Sequence, residues 1–402
     1  MSQQLHFGDR GILNVQIPES MLDEEFSSIT PPPLDNPAEA IASALNDPLG
    51  YPALTRTLVP GDRIAIALDR NVPRSGELFA GLVNLLSESD HLQECQLHLV
   101  FAGTDSELAE LELDHLLPAD QLKQLTIQLH CPNDASRLSY LAAADDGKPV
   151  YINRTLCDAD MVLPIVTLGL EGQLGYAGIH EALFRSFSDT KTQQRFLAPD
   201  CLDSGQLRAE ADEAAWLLGI QLVLGVIPGA GDSILHVLAG DAREVHGEAE
   251  LLGQAAWSRP ARQAELVVAT IEGRQGRQDW MNLARALHSA SQLVSEGGMI
   301  VLCTELDCPP GAALWRRVSQ QDDSQQVDDA DEEASPDAIA AEELRHACQR
   351  ARVYLLSKLS QDLVEDLGIA YLGDEEEVTR LVNQCESCIV LVEADRTIIA
   401  LP

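Results

Sequence analysis

Short apolar runs alternate with amphipathic stretches along most of this chain. The runs at 63–68 (RIAIAL), 96–102 (QLHLVFA), 124–130, 161–168 and 221–227 have the length and β-branched content of buried strands. Between the first of them, residues 76–87 and 106–117 carry apolar side chains at helical spacing. Strands that alternate with helices predict a mainly parallel sheet. The segment VIPGAGD at 226–232 is rich in turn formers, so 233–238 is expected to return as a hairpin partner. A second series follows, with strands at 266–270, 299–303, 353–356 and 389–392 and a helix at 281–293. The pattern predicts an α/β protein of two domains, 1–258 and a smaller 259–402, with mainly parallel sheets and a cleft between them. Residues 1–60 read as extended and turn-rich apart from a helix near 38–45, and the acidic run at 321–336 as a solvated loop.

The charge balance narrows the partners. Against 27 Lys and Arg stand 64 Asp and Glu, a formal charge of −37. Nucleic acid and anionic membrane both require basic surface, so neither is expected as a partner. The plain reading of this acidity is a surface adapted for solubility or salt. The first residues lack a basic segment leading into an apolar one, and no apolar run approaches the ~20 residues of a membrane helix. A cytoplasmic setting is expected, and nine scattered cysteines fit reduced thiols there. Cys385 and Cys388 form a lone CxxC, with no second ligand pair for zinc, and read as two thiols near a helix end.

The most distinctive local feature is LGLEGQLGYAGI at 168–179, where Gly169, Gly172, Gly175 and Gly178 recur every third residue directly after an apolar run. Such a loop lets backbone approach a ligand closely. Its nearby polar groups are Glu171, Gln173, Tyr176 and His180, and a lone histidine is more often structural than chemical. In parallel sheets, ligands bind at the carboxyl ends of strands. That rule groups the loop with Asp69-Arg70-Asn71 and Gly103-Thr104-Asp105, although Asp105 reads equally well as a helix cap.

Several stretches together resemble the nickel-dependent lactate racemase family over nearly the whole chain. They are VPGDRIAIALDRNVPRS (59–75), VFAGTDSEL (100–108), DGKPVYINRTLCDADMVLPI (146–165), VLAGDAREVH (237–246), VSEGGMIVLCTE (294–305) and ARVYLLSKLSQDLVEDLGI (351–369). The resemblance implies two α/β domains around a cleft. For active members it implies a nickel pincer nucleotide tethered to a lysine, with two histidines exchanging the α-proton of a 2-hydroxy acid. Asp69 matches the family pattern, whereas Val72 stands at an arginine, Asp105 and Gln173 at the two histidines and Phe184 at the lysine. Lys191 is the one lysine nearby, no histidine occurs at 194–196 for nickel, and Arg285 and His288 replace a glutamine and lysine.

These departures predict a lactate racemase-like protein, a pseudoenzyme candidate, that does not racemise through a nickel pincer and keeps small-anion or hydroxy-acid binding in its cleft. No cofactor or metal site is assigned from the residues, and neither enzymatic activity nor oligomeric state follows from them. The ligand-binding candidates are Asp69, Thr104, Gln173, Gly175, Arg285 and His288. The alternative is an isomerase or epimerase of another hydroxy acid with repurposed acid and base groups, for which Asp69, Asp105, His180 and His288 are the catalytic candidates.

Overall fold

The structure is a computed structural model that describes residues 2–18, 21, 26, 31–88, 94–143, 147–175, 178–196, 205–319 and 337–400. The acidic run at 321–336 lies outside the described residues.

Two α/β sheets form the protein. The first has six strands in the order Ile234–Gly240, Val223–Pro228, Met161–Thr167, Arg63–Asp69, Gln96–Ala102, Leu125–Leu129. All its pairings are parallel except that of the edge hairpin, where Ile234–Gly240 runs back along Val223–Pro228. The second has five parallel strands in the order Ala370–Tyr371, Arg352–Leu356, Val294–Cys303, Ala264–Thr270, Cys388–Leu391. In each sheet the strand order reverses beside the earliest strand. The first sheet reverses between Arg63–Asp69 and Met161–Thr167, the second between Ala264–Thr270 and Cys388–Leu391. Crevices open at such points, because consecutive connections leave for opposite faces.

Each strand that alternation predicted is present within a few residues, while one predicted helix is divided. In place of a continuous helix at 106–117 there are two short ones, Asp105–Ala109 and Leu113–Leu116, separated by Glu112 at φ 49°. The Leu111 carbonyl sits against Gly76, where a Cβ would lie 2.1 Å from the Leu111 oxygen. Seating that carbonyl takes the place of helix continuity. The hairpin Ser2–Phe7 and Gly11–Gln16 packs Leu5, Leu13 and Val15 into the core of the second sheet, beside Leu266, Val268 and Val390. Cys385 and Cys388 are buried thiols there, and burial pushes Cys388 up to about 12. No helix among the described residues is long and apolar enough to cross a membrane.

The glycine-rich loop is anchored by its leucines. Leu168 lies over Gly225 of the neighbouring strand, and Leu170 over Gly253 of helix Ala242–Trp257, where a Cβ would meet the leucine methyls at 2.4 and 2.2 Å. Of the four glycines, Gly172 and Gly175 adopt positive φ, 91° and 64°, which a side chain would oppose.

The two halves are fastened at the tip of the edge hairpin. The Gly231 N–H donates to Glu393 Oε1, and its carbonyl accepts from Arg277 Nη1 at 3.0 Å and Arg396 Nη2 at 3.2 Å. Arg277 Nη2 also donates to Asp395 Oδ2 and, at 3.3 Å, to Glu393 Oε2. Beside this cluster Arg274 pairs with Asp232 at 3.1 Å and donates to the Val72 carbonyl at 3.1 Å. Burial pushes the Glu393 carboxyl up to about 7, although Arg396 and Arg277 oppose the shift. Burial also acts to lower Arg277, but Asp395 and Glu393 outweigh it and hold the guanidinium above its usual range.

Two outcomes follow from this packing. Gly253→Ala should cost about 1–3 kcal/mol through displacement of Leu170, read by thermal or denaturant unfolding; an unchanged midpoint would show that Leu170 relaxes freely. The raised pKa of Glu393 gives a signed pH effect. Its stabilising contribution is complete below the usual value of 4.5 and is lost as pH rises through about 7. Stability should therefore fall between about pH 4.5 and 7 in the native protein, and Glu393→Gln should lose that part of the slope.

Candidate functional site

The two strand-order reversals face each other across a cavity of about 690 Å³. From the first sheet come Asp69, Arg70 and Asn71 after one strand and Thr167 to Leu170 after the next, tied together by Thr167 Oγ1 donating to the Asn71 carbonyl at 2.9 Å. From the second come Arg277 and Asp279 after one strand and Asp395 and Arg396 after the other. Helix Ile179–Phe187 adds Ala182, Arg185 and Ser186, and helix Trp280–Leu293 adds Met281, Asn282 and Arg285.

The wall is rich in guanidinium groups for so acidic a chain. Arg70, Arg185, Arg277, Arg285 and Arg396 all line it. Three of these lie against carboxylates: Arg70 against Glu107 at 3.5 Å, Arg277 against Asp395, and Arg396 against Glu393 at 3.6 Å. Arg185 and Arg285 have no carboxylate within ion-pair distance among the described residues. They rest instead on consecutive carbonyls of the glycine-rich loop. Arg285 Nε donates to Leu174 O at 3.0 Å, and Arg185 Nη1 donates to Gly175 O at 3.2 Å. Burial, then the nearby Arg285, bring Arg185 down to about 10, and burial likewise lowers Arg285. Both remain cations at neutral pH. The loop therefore meets the cleft with backbone acceptors that orient cations, where a phosphate cradle would present N–H donors.

The carboxylates have distinct duties. Asp69 is buried, with Oδ1 accepting from Asn71 N–H at 2.7 Å and Oδ2 from the Ser186 hydroxyl. Asp279 caps helix Trp280–Leu293 through Oδ1, which accepts from Asn282 N–H at 2.8 Å, and burial pushes its carboxyl above the usual carboxylate range. Asp395 gives Oδ2 to Arg277 and leaves Oδ1 buried without a hydrogen bond.

The ligand-binding candidates divide accordingly. Asp69, Thr104, Gln173, Gly175 and Arg285 line the cavity, and His288 does not. Although His288 lies one turn from Arg285, it turns to Glu343 of helix Ala338–Arg350, with Nδ1 3.2 Å from Oε2. Thr104 is committed as a helix cap, its hydroxyl accepting from Glu107 N–H. Gln173 is likewise occupied: Oε1 accepts from Leu170 N–H at 3.0 Å and Nε2 donates across the cleft to the Arg396 carbonyl. Among the catalytic candidates only Asp69 reaches the cavity. Asp105 is exposed in the first turn of its helix, and His180 faces Asp212 with Nδ1 2.8 Å from Oδ1.

Phe184 does not occupy the cleft either. It is buried among Leu183, Phe187 and Val100 behind the sheet, and the next residue, Arg185, faces the cavity. The apolar set Ile179, Leu183, Phe184 and Phe187 marks the helix face that turns inward, so a helical-face reading finds Arg185 beside it. Lys191 is exposed and outside the cavity wall. The histidine in the wall is His130, at the end of strand Leu125–Leu129, which local sequence gave no reason to join to the loop. Asn153 Oδ1 accepts from Thr155 N–H, so its amide nitrogen faces His130 Nδ1 at 3.3 Å. His130 Nε2 accordingly donates to the Ser188 carbonyl at 2.9 Å, and burial holds the ring's pKa below the usual imidazole value. Both nitrogens are engaged, which fixes a neutral ring.

Comparison with known proteins agrees with this architecture. Residues 7–195 match the lactate racemase N-terminal domain family. The lactate racemase apoprotein from Thermoanaerobacterium thermosaccharolyticum superposes with a TM-score of 0.79 at 14% identity, covering 100% of both chains. A protein from Thermotoga maritima superposes with a TM-score of 0.64 at 12% identity, covering 93% of this chain and 100% of its own. No curated protein matches the chain in sequence. Residues 7–195 thus match the lactate racemase N-terminal domain family, within a chain that has the fold of the lactate racemase apoprotein.

Proposed function

We propose that this lactate racemase-like protein binds a small carboxylate or hydroxy acid in the inter-domain cleft and does not racemise it through a nickel pincer. The observation that carries the reading is the pair Arg185 and Arg285. They come from different halves, lie close enough for Arg285 to lower Arg185, and donate only to neutral oxygens. An anion placed between them relieves that repulsion and accepts charge-assisted hydrogen bonds from both. Asn71 adds a polar side chain at the wall beside such an anion.

The residues present do not fit the group on which the racemase reaction depends. A tether needs a lysine, and the cavity wall among the described residues contains none. Nickel ligation and α-proton exchange need imidazoles with a free nitrogen, and His130 has neither nitrogen free. No group of three or more His, Cys, Asp or Glu among the described residues is placed to hold a metal ion. The alternative, an isomerase or epimerase built on repurposed acid and base groups, is not favoured by the geometry. Asp105, His180 and His288 do not converge with Asp69 on one cavity. The same reading keeps the expected cytoplasmic setting, and the strongly acidic composition argues against nucleic acid or anionic membrane as partners.

Calorimetry with lactate and longer hydroxy acids tests the site. Arg185→Ala or Arg285→Ala should each weaken binding by about 1.5–3 kcal/mol, the range for a hydrogen bond to a charged group; unchanged affinity in both would remove the reading. Arg285→Lys should recover only part of the loss, because an ammonium lacks the planar fork. Incubation with the nickel pincer nucleotide should leave the intact mass unchanged and lactate unracemised, and a covalent adduct or racemisation would overturn the second half of the proposal.

A further inference from the structure

We infer that Gln173 and Leu174 form a latch by which the glycine-rich loop, rooted in the first half of the molecule, fastens onto the second half across the cleft. Its coupling to a ligand rests on the anion reading above. The loop has a fixed root and a docked tip. Leu168 and Leu170 make the root, 7% and 2% exposed, in one core cluster with Val223, Val245 and Trp257. The tip binds the other half. Leu174 packs against the core of the second sheet, which includes Leu283 and Leu287 of helix Trp280–Leu293. Its carbonyl accepts from Arg285 Nε on that helix at 3.0 Å, and Gln173 Nε2 donates to the Arg396 carbonyl.

Two glycines set the tip apart. Gly172 and Gly175 bracket it at φ 91° and 64°, so the backbone turns on either side of the two docked residues. Gln173 serves both ends of the device. Its N–H donates to the Leu170 carbonyl at 3.1 Å and its Oε1 accepts from Leu170 N–H at 3.0 Å, while Nε2 crosses the cleft. The tip is also the weaker attachment. Leu174 is only half-buried, whereas the root leucines are seated over Gly225 and Gly253. Opening therefore parts the tip from the second half before it lifts the root.

The latched loop also sets the spacing of the cleft cations. Leu174 O holds Arg285 of the second half, and the next carbonyl, Gly175 O, holds Arg185 of the first at 3.2 Å. When the tip leaves, that common guide is lost. An anion that takes both guanidinium groups thus favours the latched state, and by linkage latch and anion strengthen one another by the same factor.

Hydrogen exchange read by mass spectrometry, together with lactate calorimetry, decides the matter, using the native protein, Leu174→Ala and Leu174→Met. The Leu174 side chain is not part of the cavity wall, so truncating it removes the docking contact and no ligand contact. Without ligand, Leu174→Ala should exchange the amides of 168–175 at least about tenfold faster, while strands Met161–Thr167 and Ala264–Thr270 keep their native rates. Leu174→Met, which preserves volume, should restore slow exchange. Lactate should slow loop exchange in the native protein, and Leu174→Ala should bind lactate about fivefold more weakly. Native loop exchange in Leu174→Ala overturns the latch. Faster exchange with native lactate affinity overturns its coupling to the anion. No heat with lactate in any of the three proteins overturns the anion reading, and the exchange rates then decide the latch alone.

Discussion

The grip on Gly231 is the constraint on which the cleft depends. One peptide unit at the hairpin tip is held at its N–H by Glu393 and at its carbonyl by two guanidinium groups, all from the other half of the molecule. Asp395 and Arg396, which flank this grip in sequence, are cavity wall. The side chains that fix the relative position of the halves are thus continuous with those that shape the site. A buried charge cluster of this kind is costly to assemble and costlier to break singly. Its yield is positional: the wall from one sheet is registered against the wall from the other.

That registration explains an apparent contradiction in charge. A chain of net −37 repels anions at long range, yet its cleft collects arginines. Three of them are neutralised locally and hold the architecture; Arg185 and Arg285 stand on backbone oxygens. Carbonyl dipoles orient a guanidinium without cancelling its charge, so both arginines stay cationic where the glycine-rich loop meets the cleft. Preorganisation of this sort lowers the ordering cost of binding.

The sheets were legible because buried strands announce themselves as uninterrupted apolar runs such as RIAIAL, and the edge hairpin because VIPGAGD concentrates turn formers. The cleft between the sheets and the loop beside it were legible from the same alternation. Side-chain direction was not. Linear matching placed Phe184 at a functional position, but one residue along a helix is a rotation of about 100°, and Arg185 is the one that faces the cleft. The His288 direction depended on Glu343, which sits on a helix far along the chain. His130 reached the wall only because its strand is the last of its sheet, a fact of tertiary order that local periodicity does not carry. Thr104 and Gln173 looked like ligand groups, whereas each satisfies a backbone demand of its own loop.

The hairpin at residues 2–16 belongs to the core built by Leu266, Val268 and Val390. Two isolated strands have little stability in water. On the ribosome this segment emerges long before the strands that shelter it, so Leu5, Leu13 and Val15 must wait, exposed, through synthesis of the intervening sheet. The second domain is consequently closed from its far end: strands made before the sheet they pack on are among the last to be buried, and the domain is completed only when they return.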